Sequence, residues 1–128
     1  VASVIEEACC AETAGALLAQ RQLDVANDPE VEQALGKIAE DEARHAELGW
    51  AFVGWALASA RDELMPSVVA AFERGVAQLR ALPVEDASEE ASRFGRLSRA
   101  EVREVIDTAI TSVILPTRSR LLGSIGDA

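Results

Sequence analysis

Ile38-Ala39-Glu40-Asp41-Glu42-Ala43-Arg44-His45-Ala46-Glu47-Leu48 is the stretch that decides how this chain is read. It lies inside a long helical pattern from about Pro29 to Ala60. The apolar stripe of that pattern is Val31, Leu35 and Ile38, then Glu42 and His45, then Gly49, Phe52 and Ala56. This is the spacing of one face of an α-helix. Two ionisable side chains hold the middle of an otherwise apolar stripe, where a carboxylate and an imidazole need partners or a counter-charge.

Working outward, Asp28 reads as an N-cap and Pro29 as the first residue of this helix, so the chain turns at Ala26-Asn27-Asp28-Pro29. A preceding helix from about Val4 to Val25 carries Ile5, Cys9, Glu12, Ala16 and Leu23 on or near one stripe. From Glu12 to Val25 is 13 residues, and from Pro29 to Glu42 is 13 again, roughly 20 Å of helix each. In an antiparallel hairpin Glu12 and Glu42 therefore stand at one height, and His45 is one turn beyond Glu42 on the same face. The hairpin presents two carboxylates and an imidazole toward a common interior. Asp41 and Arg44, beside Glu42 and His45, are placed to support that set and orient the imidazole.

Four-helix di-iron proteins use this vocabulary: a Glu from each of two helices and a Glu-x-x-His from each of the other two. Cys-Cys-Ala-Glu-Thr around Glu12, Asp-Pro-Glu-Val at the turn and the 38–48 stretch together resemble a bacterial ferritin-like family, specifically the second helix pair of its di-iron carboxylate bundle. The resemblance covers about residues 5–57 and fades beyond. It implies that Glu12, Glu42 and His45 are iron ligands with Asp41 behind them, and that the chemistry is Fe(II) oxidation or O₂ activation; manganese or a mixed pair of metals is the variant. The family's bundle has an earlier helix pair with its own Glu and Glu-x-x-His. This chain has one His, so it carries half a site, to be completed by an identical chain or by a separate N-terminal helix pair. Two copies would set four carboxylates, about −4, against two divalent ions, about +4.

The composition agrees with an all-α chain. Ala supplies 24 of 128 residues and Tyr is absent, which favours helices that pack closely. Lys and Arg number 12 against 22 Asp and Glu, a formal charge of −10, which argues against a nucleic-acid partner. The longest uncharged run, Leu48 to Ala60, has 13 residues, short of the ~20 a membrane span needs. Adjacent Cys9 and Cys10 cannot pair with each other on a helix. The expected setting is a reducing cytoplasm. The chain begins at Val1 on what already reads as helix, as expected for a piece of a longer product.

Two further helices are predicted. One starts at Pro66 and runs to about Leu82, using Val69, Phe72, Val76 and Leu79. A charged linker at 83–97 follows, its acidic residues 85–90 expected to be solvated. Ser98 and Glu101 then form a capping box for a last helix that kinks or stops at Pro116 and ends near Gly123. Glu73 and Glu104 repeat the hairpin spacing, but Glu73 flanks its stripe, Glu104 lies off its own, and Asp107 stands where a His would be needed. Cys9 reads as a small buried side chain, and Trp50 and Trp55 as core or interface anchors. The expectation is one ferritin-like helical domain over 1–128: a metal-binding hairpin at 1–60, supporting helices at 61–128, and a bundle completed by a partner chain. The competing expectation is a non-catalytic helical interaction module with a vestigial metal site.

Overall fold

The computed structural model describes residues 1–92 and 94–126, and among them there is helix but no strand. Helix α1 is one rod made of Ala2–Val4, Ile5–Glu12 and Thr13–Val25, the middle stretch in π register. It ends where Ala26 turns extended. The Asp28 carboxylate then accepts from the backbone N–H groups of Glu30 at 3.0 Å and Val31 at 3.1 Å, with Pro29 in the first turn. This is the predicted cap, and it starts a helical run over Pro29–Ala81 interrupted only at Ala60, with φ −149° and ψ 52°. That single non-helical residue divides the run into α2, residues 29–59, and α3, residues 61–81.

The start of α3 differs from expectation. The helix begins five residues before Pro66, which lies inside it. Proline removes one backbone donor, a loss that is cheapest near a helix start. Here the reversal has already been made at Ala60, before the buried positions Val68, Ala71 and Phe72 must engage. Trp50 of α2 stacks on Phe72 of α3, with ring centroids 5.5 Å apart, so α3 runs back along α2.

Two glycines let these helices approach α1 closely. A Cβ at Gly49 would overlap Cβ of Ala8, and one at Gly75 would lie 2.6 Å from Sγ of Cys10. The π register of 5–12 also shifts the face that α1 buries. Ile5, Cys9, Cys10, Ala14 and Ala19 are inside, rather than the uniform α stripe read through Glu12 and Ala16. Wider turns accommodate such slips, and π stretches are rare and concentrate at functional sites.

Residues 85–90 are largely exposed, as expected, while other parts of the linker are packed. Residues Glu89–Ser92 form a short helix, α4, and Leu97 is buried. Gly95 has φ +84° and sits so close to Leu35 and to the Gln22 carbonyl that a Cβ there would be 2.9 Å from the leucine. The linker is thus packed over the end of the α1–α2 hairpin. Helix α5 comprises Arg99–Thr108, a π stretch Ala109–Ile114 and Leu115–Gly126. Of the two expectations for Pro116, a kink or a stop, the stop is not realised: the helix passes through it. The widened turns just before Pro116 tolerate the missing N–H and the ring. Arg103 of α5 donates to the Arg80 and Leu82 carbonyls at 3.2 and 2.6 Å, capping the end of α3.

The capping box forms as predicted, with Glu101 N–H donating to Ser98 Oγ and Ser98 N–H donating to Glu101 Oε1. Ser98→Ala should cost about 1 kcal/mol, read as a lower midpoint in urea unfolding; an unchanged midpoint would show that the cap carries no stability.

Helix α5 meets the turn end of α1 through Arg21–Glu104 at 3.5 Å. It meets the Ala60 end through Arg61, whose Nη2 donates to the Leu121 carbonyl at 3.1 Å. The four long helices therefore run alternately up and down. Ile5, Val53, Phe72 and Ile110 belong to one buried core. Among the described residues no helix is long and apolar enough to cross a membrane.

Candidate functional site

Glu12 closes the π stretch of α1, while Glu42 and His45 are one turn apart on α2. Fold position brings Glu12 and His45 into contact and sets Glu42 near enough to feel both charges. His45 Nδ1 and Glu12 Oε1 are 3.1 Å apart. A second carboxylate oxygen, Glu42 Oε2, is buried and has no hydrogen-bond partner. It is pressed against Gly15, where a Cβ would overlap it. Gly15 therefore leaves the room that Glu42 occupies, and the sequence pattern does not mark it; its only signal is a glycine one turn beyond Glu12 in an otherwise helix-favouring run.

Burial pushes the Glu42 carboxyl above the usual carboxylate range, the nearby Glu12 charge adds to this, and His45 opposes it. An acidic oxygen out of water, with no donor and another carboxylate beside it, is unstable as an anion unless a cation or a proton arrives.

The set does not face the interior of this chain's own bundle. The side chain of His45 is 58% exposed and that of Glu12 33%. The buried positions of α2 are Ala39, Ala46, Gly49, Val53, Ala56 and Leu57, so the site lies on the flank of the hairpin. The predicted stripe was drawn too straight: Ile38 and Phe52 share the exposed face with His45.

Asp41 and Arg44 pair with each other at 3.3 Å on that face. Neither Glu73 nor Glu104 is brought to the site: Glu104 pairs with Arg21, and Glu73 lines a groove with Phe72 and Arg118. Cys9 and Cys10 are free, buried thiols. Burial pushes Cys9 up to about 12 and Cys10 to about 11, so both are protonated at neutral pH. Trp50 is an internal anchor, donating from Nε1 to Thr13 Oγ1 at 3.3 Å. Trp55, 65% exposed, faces outward beside Phe52.

Among the described residues no group of three or more His, Cys, Asp or Glu is gathered closely enough to hold a metal. The donor chemistry fits a cation on one side only: an orphaned carboxylate oxygen next to a carboxylate–imidazole pair, open toward solvent. No family model, curated protein or solved structure matches this chain.

Proposed function

We propose that this chain is a ferritin-like di-iron protein that contributes a half-site, Glu12, Glu42 and His45, to a centre completed by a second chain. The observation that carries the reading is the buried, unpartnered Glu42 Oε2 beside the Glu12–His45 pair. A cation is the simplest species that answers all three groups at once. Iron held there would supply one-electron redox chemistry toward Fe(II) oxidation or O₂ activation. The chain's own groups have definable roles. Glu42 offers an oxygen for which no protein donor competes. Glu12 accepts from His45 when Nδ1 carries the proton, which holds the imidazole over the site and leaves Nε2 free for another partner.

The test is metal content of protein prepared without chelator, followed by aerobic Fe(II) oxidation against a buffer control. Bound iron and oxidation above background support the reading. Metal at background level rejects it in favour of a helical interaction module, a second reading favoured by the exposed Ile38, Leu48, Phe52 and Trp55 side chains and by the lack of a closed three-donor cluster among the described residues.

Loading should also depend on pH with a definite sign. The Glu42 carboxyl titrates above the ordinary carboxylate range and must lose its proton to bind a cation. Metal content should therefore fall as pH is lowered through that raised value, at a higher pH than an ordinary Glu would give. Equilibrium dialysis across mildly acidic pH reads this, and pH-independent loading would exclude Glu42 as a ligand.

A further inference from the structure

Helix α2 exposes Ile38, Leu48, Phe52 and Trp55, at 46, 63, 39 and 65%. With Val31, Ala34, Asp41 and His45 they follow the alternating spacing of three and four residues from 31 to 55. That is the a/d seam of a two-stranded coiled coil, and it lies away from the face α2 turns to its own bundle. Single exposed apolar residues are ordinary, but four on one seam form a patch that a soluble chain covers. The seam's only ionisable members are Asp41 and His45.

We infer that the seam is covered by α2 of a second copy of this chain, antiparallel and centred at residue 43, so that Asp41 faces the partner's His45. The inference deepens the half-site reading by naming its partner. The choice of occupant and register rests on complementarity along the seam. In this register Ile38 meets the partner's Leu48, Ala34 meets the partner's Phe52 and Val31 meets the partner's Trp55. Every apolar position finds an apolar one, and the acid finds the imidazole. In one neighbouring antiparallel register Asp41 would face Phe52 and His45 would face Leu48, and in the other they would face Ile38 and Ala34; either sets both polar groups against apolar side chains, with only Arg44 and Glu12 of their own chain as partners. A parallel pair would set Asp41 against Asp41, two like charges in an apolar seam.

Only the register centred at residue 43 also brings the two half-sites level. Glu42 and the partner's Glu42 then stand roughly 3 Å apart along the helix axis, against roughly 13 Å and roughly 8 Å in the two neighbouring registers. With a cation taking the nitrogen that faces Glu12, Asp41, which pairs with Arg44 in its own chain, would hold the other nitrogen of the partner's His45, the outer-shell arrangement common for metal-ligating imidazoles. Asp41 is therefore a positioning residue that acts across the two-fold axis.

The register is tested by disulfide trapping in buffer with chelator, so that metal plays no part. Copies carrying Ile38→Cys are mixed with copies carrying Leu48→Cys under mild oxidation. A cross-link needs α-carbons within about 7 Å, and the native thiols are fully buried and do not compete. The expected result is a species of twice the chain mass from this mixture, and none from Ile38→Cys alone or from Ile38→Cys with Trp55→Cys. Cross-linking of Ile38→Cys with itself would establish a parallel pair or the register centred between residues 39 and 40, and cross-linking with Trp55→Cys the register centred between residues 46 and 47; any of these overturns the inference. Light scattering of the wild type should report a dimer, reduced twofold in mass by Leu48→Glu, which lies on the surface and leaves the fold intact. A monomeric wild type overturns the inference as well. A trapped dimer that takes up no iron would sustain this interface while rejecting the metal reading, so the two fail separately.

Discussion

Glu42→Gln is expected to abolish most metal loading and, in metal-free protein at neutral pH, to raise the melting temperature. Both effects come from the one oxygen, Oε2, that is buried without a donor. Its burial, then the neighbouring Glu12 charge, raise the carboxyl's pKa, with His45 acting against them. A carboxyl whose folded pKa is raised favours the folded state while it is protonated. That contribution is complete below the ordinary carboxylate range and is lost as pH rises through the raised value. At neutral pH the wild type thus carries an anion that folding has stripped of water, and the neutral amide of Gln does not. Thermal melts with chelator should show the variant melting higher at pH 7 and the two proteins converging below about pH 4, where Glu is protonated in both states. A variant that melts lower at pH 7 would mean that the oxygen was satisfied in the wild type. His45→Ala separates ligand loss from folding, because the imidazole is largely exposed. It should lose most bound metal with helix content nearly unchanged, and equal metal content in wild type and His45→Ala would rule out the site.

The hairpin was legible because its signals are local and additive. Asp28-Pro29 caps one helix as it ends the other, and equal counts from the turn place Glu12 and Glu42 level whatever the rest of the chain does. The direction in which the site faces was not legible. A stripe drawn at uniform α spacing treats Ile38, Glu42, His45 and Phe52 as one inward face. Tertiary contact instead selects a neighbouring face, set by the small residues Ala39, Ala46 and Gly49 that let α1 come close. In α1 the π stretch of 5–12 adds a second slip that no periodicity count contains. Pro66 misleads as a helix start for a related reason. Propensity treats proline as a boundary, yet packing of Val68, Phe72 and Ile114 holds helix on both sides of it. The exposure of residues 85–90 follows from their charges, while Leu97 and Gly95, which anchor the rest of the linker, carry no charge at all.

Phe72→Ala is the substitution expected to cost most stability, and it links the core to the site. The ring is fully buried and stacks on Trp50 at 5.5 Å with 20° between planes. Truncation of a buried Phe typically costs about 3–5 kcal/mol, part lost transfer energy and part the cavity left behind. That is a large share of the roughly 5–15 kcal/mol holding a domain folded. The consequence reaches the site through one bond: Trp50 Nε1 donates to Thr13 Oγ1, and Thr13 directly follows Glu12 at the end of the π stretch. Without Phe72 behind it the indole has space to rotate, the hydroxyl loses its donor, and the π-to-α junction that aims Glu12 at His45 is left to the backbone. Urea unfolding should show the loss as a lower midpoint. Phe52→Ala is the control, since Phe52 is 39% exposed on the outward seam. It should barely move the midpoint of dilute, monomeric protein and weaken self-association instead. If Phe72→Ala cost no more than Phe52→Ala in the monomer, the α2–α3 packing described here, and the support it gives to Glu12, would be wrong.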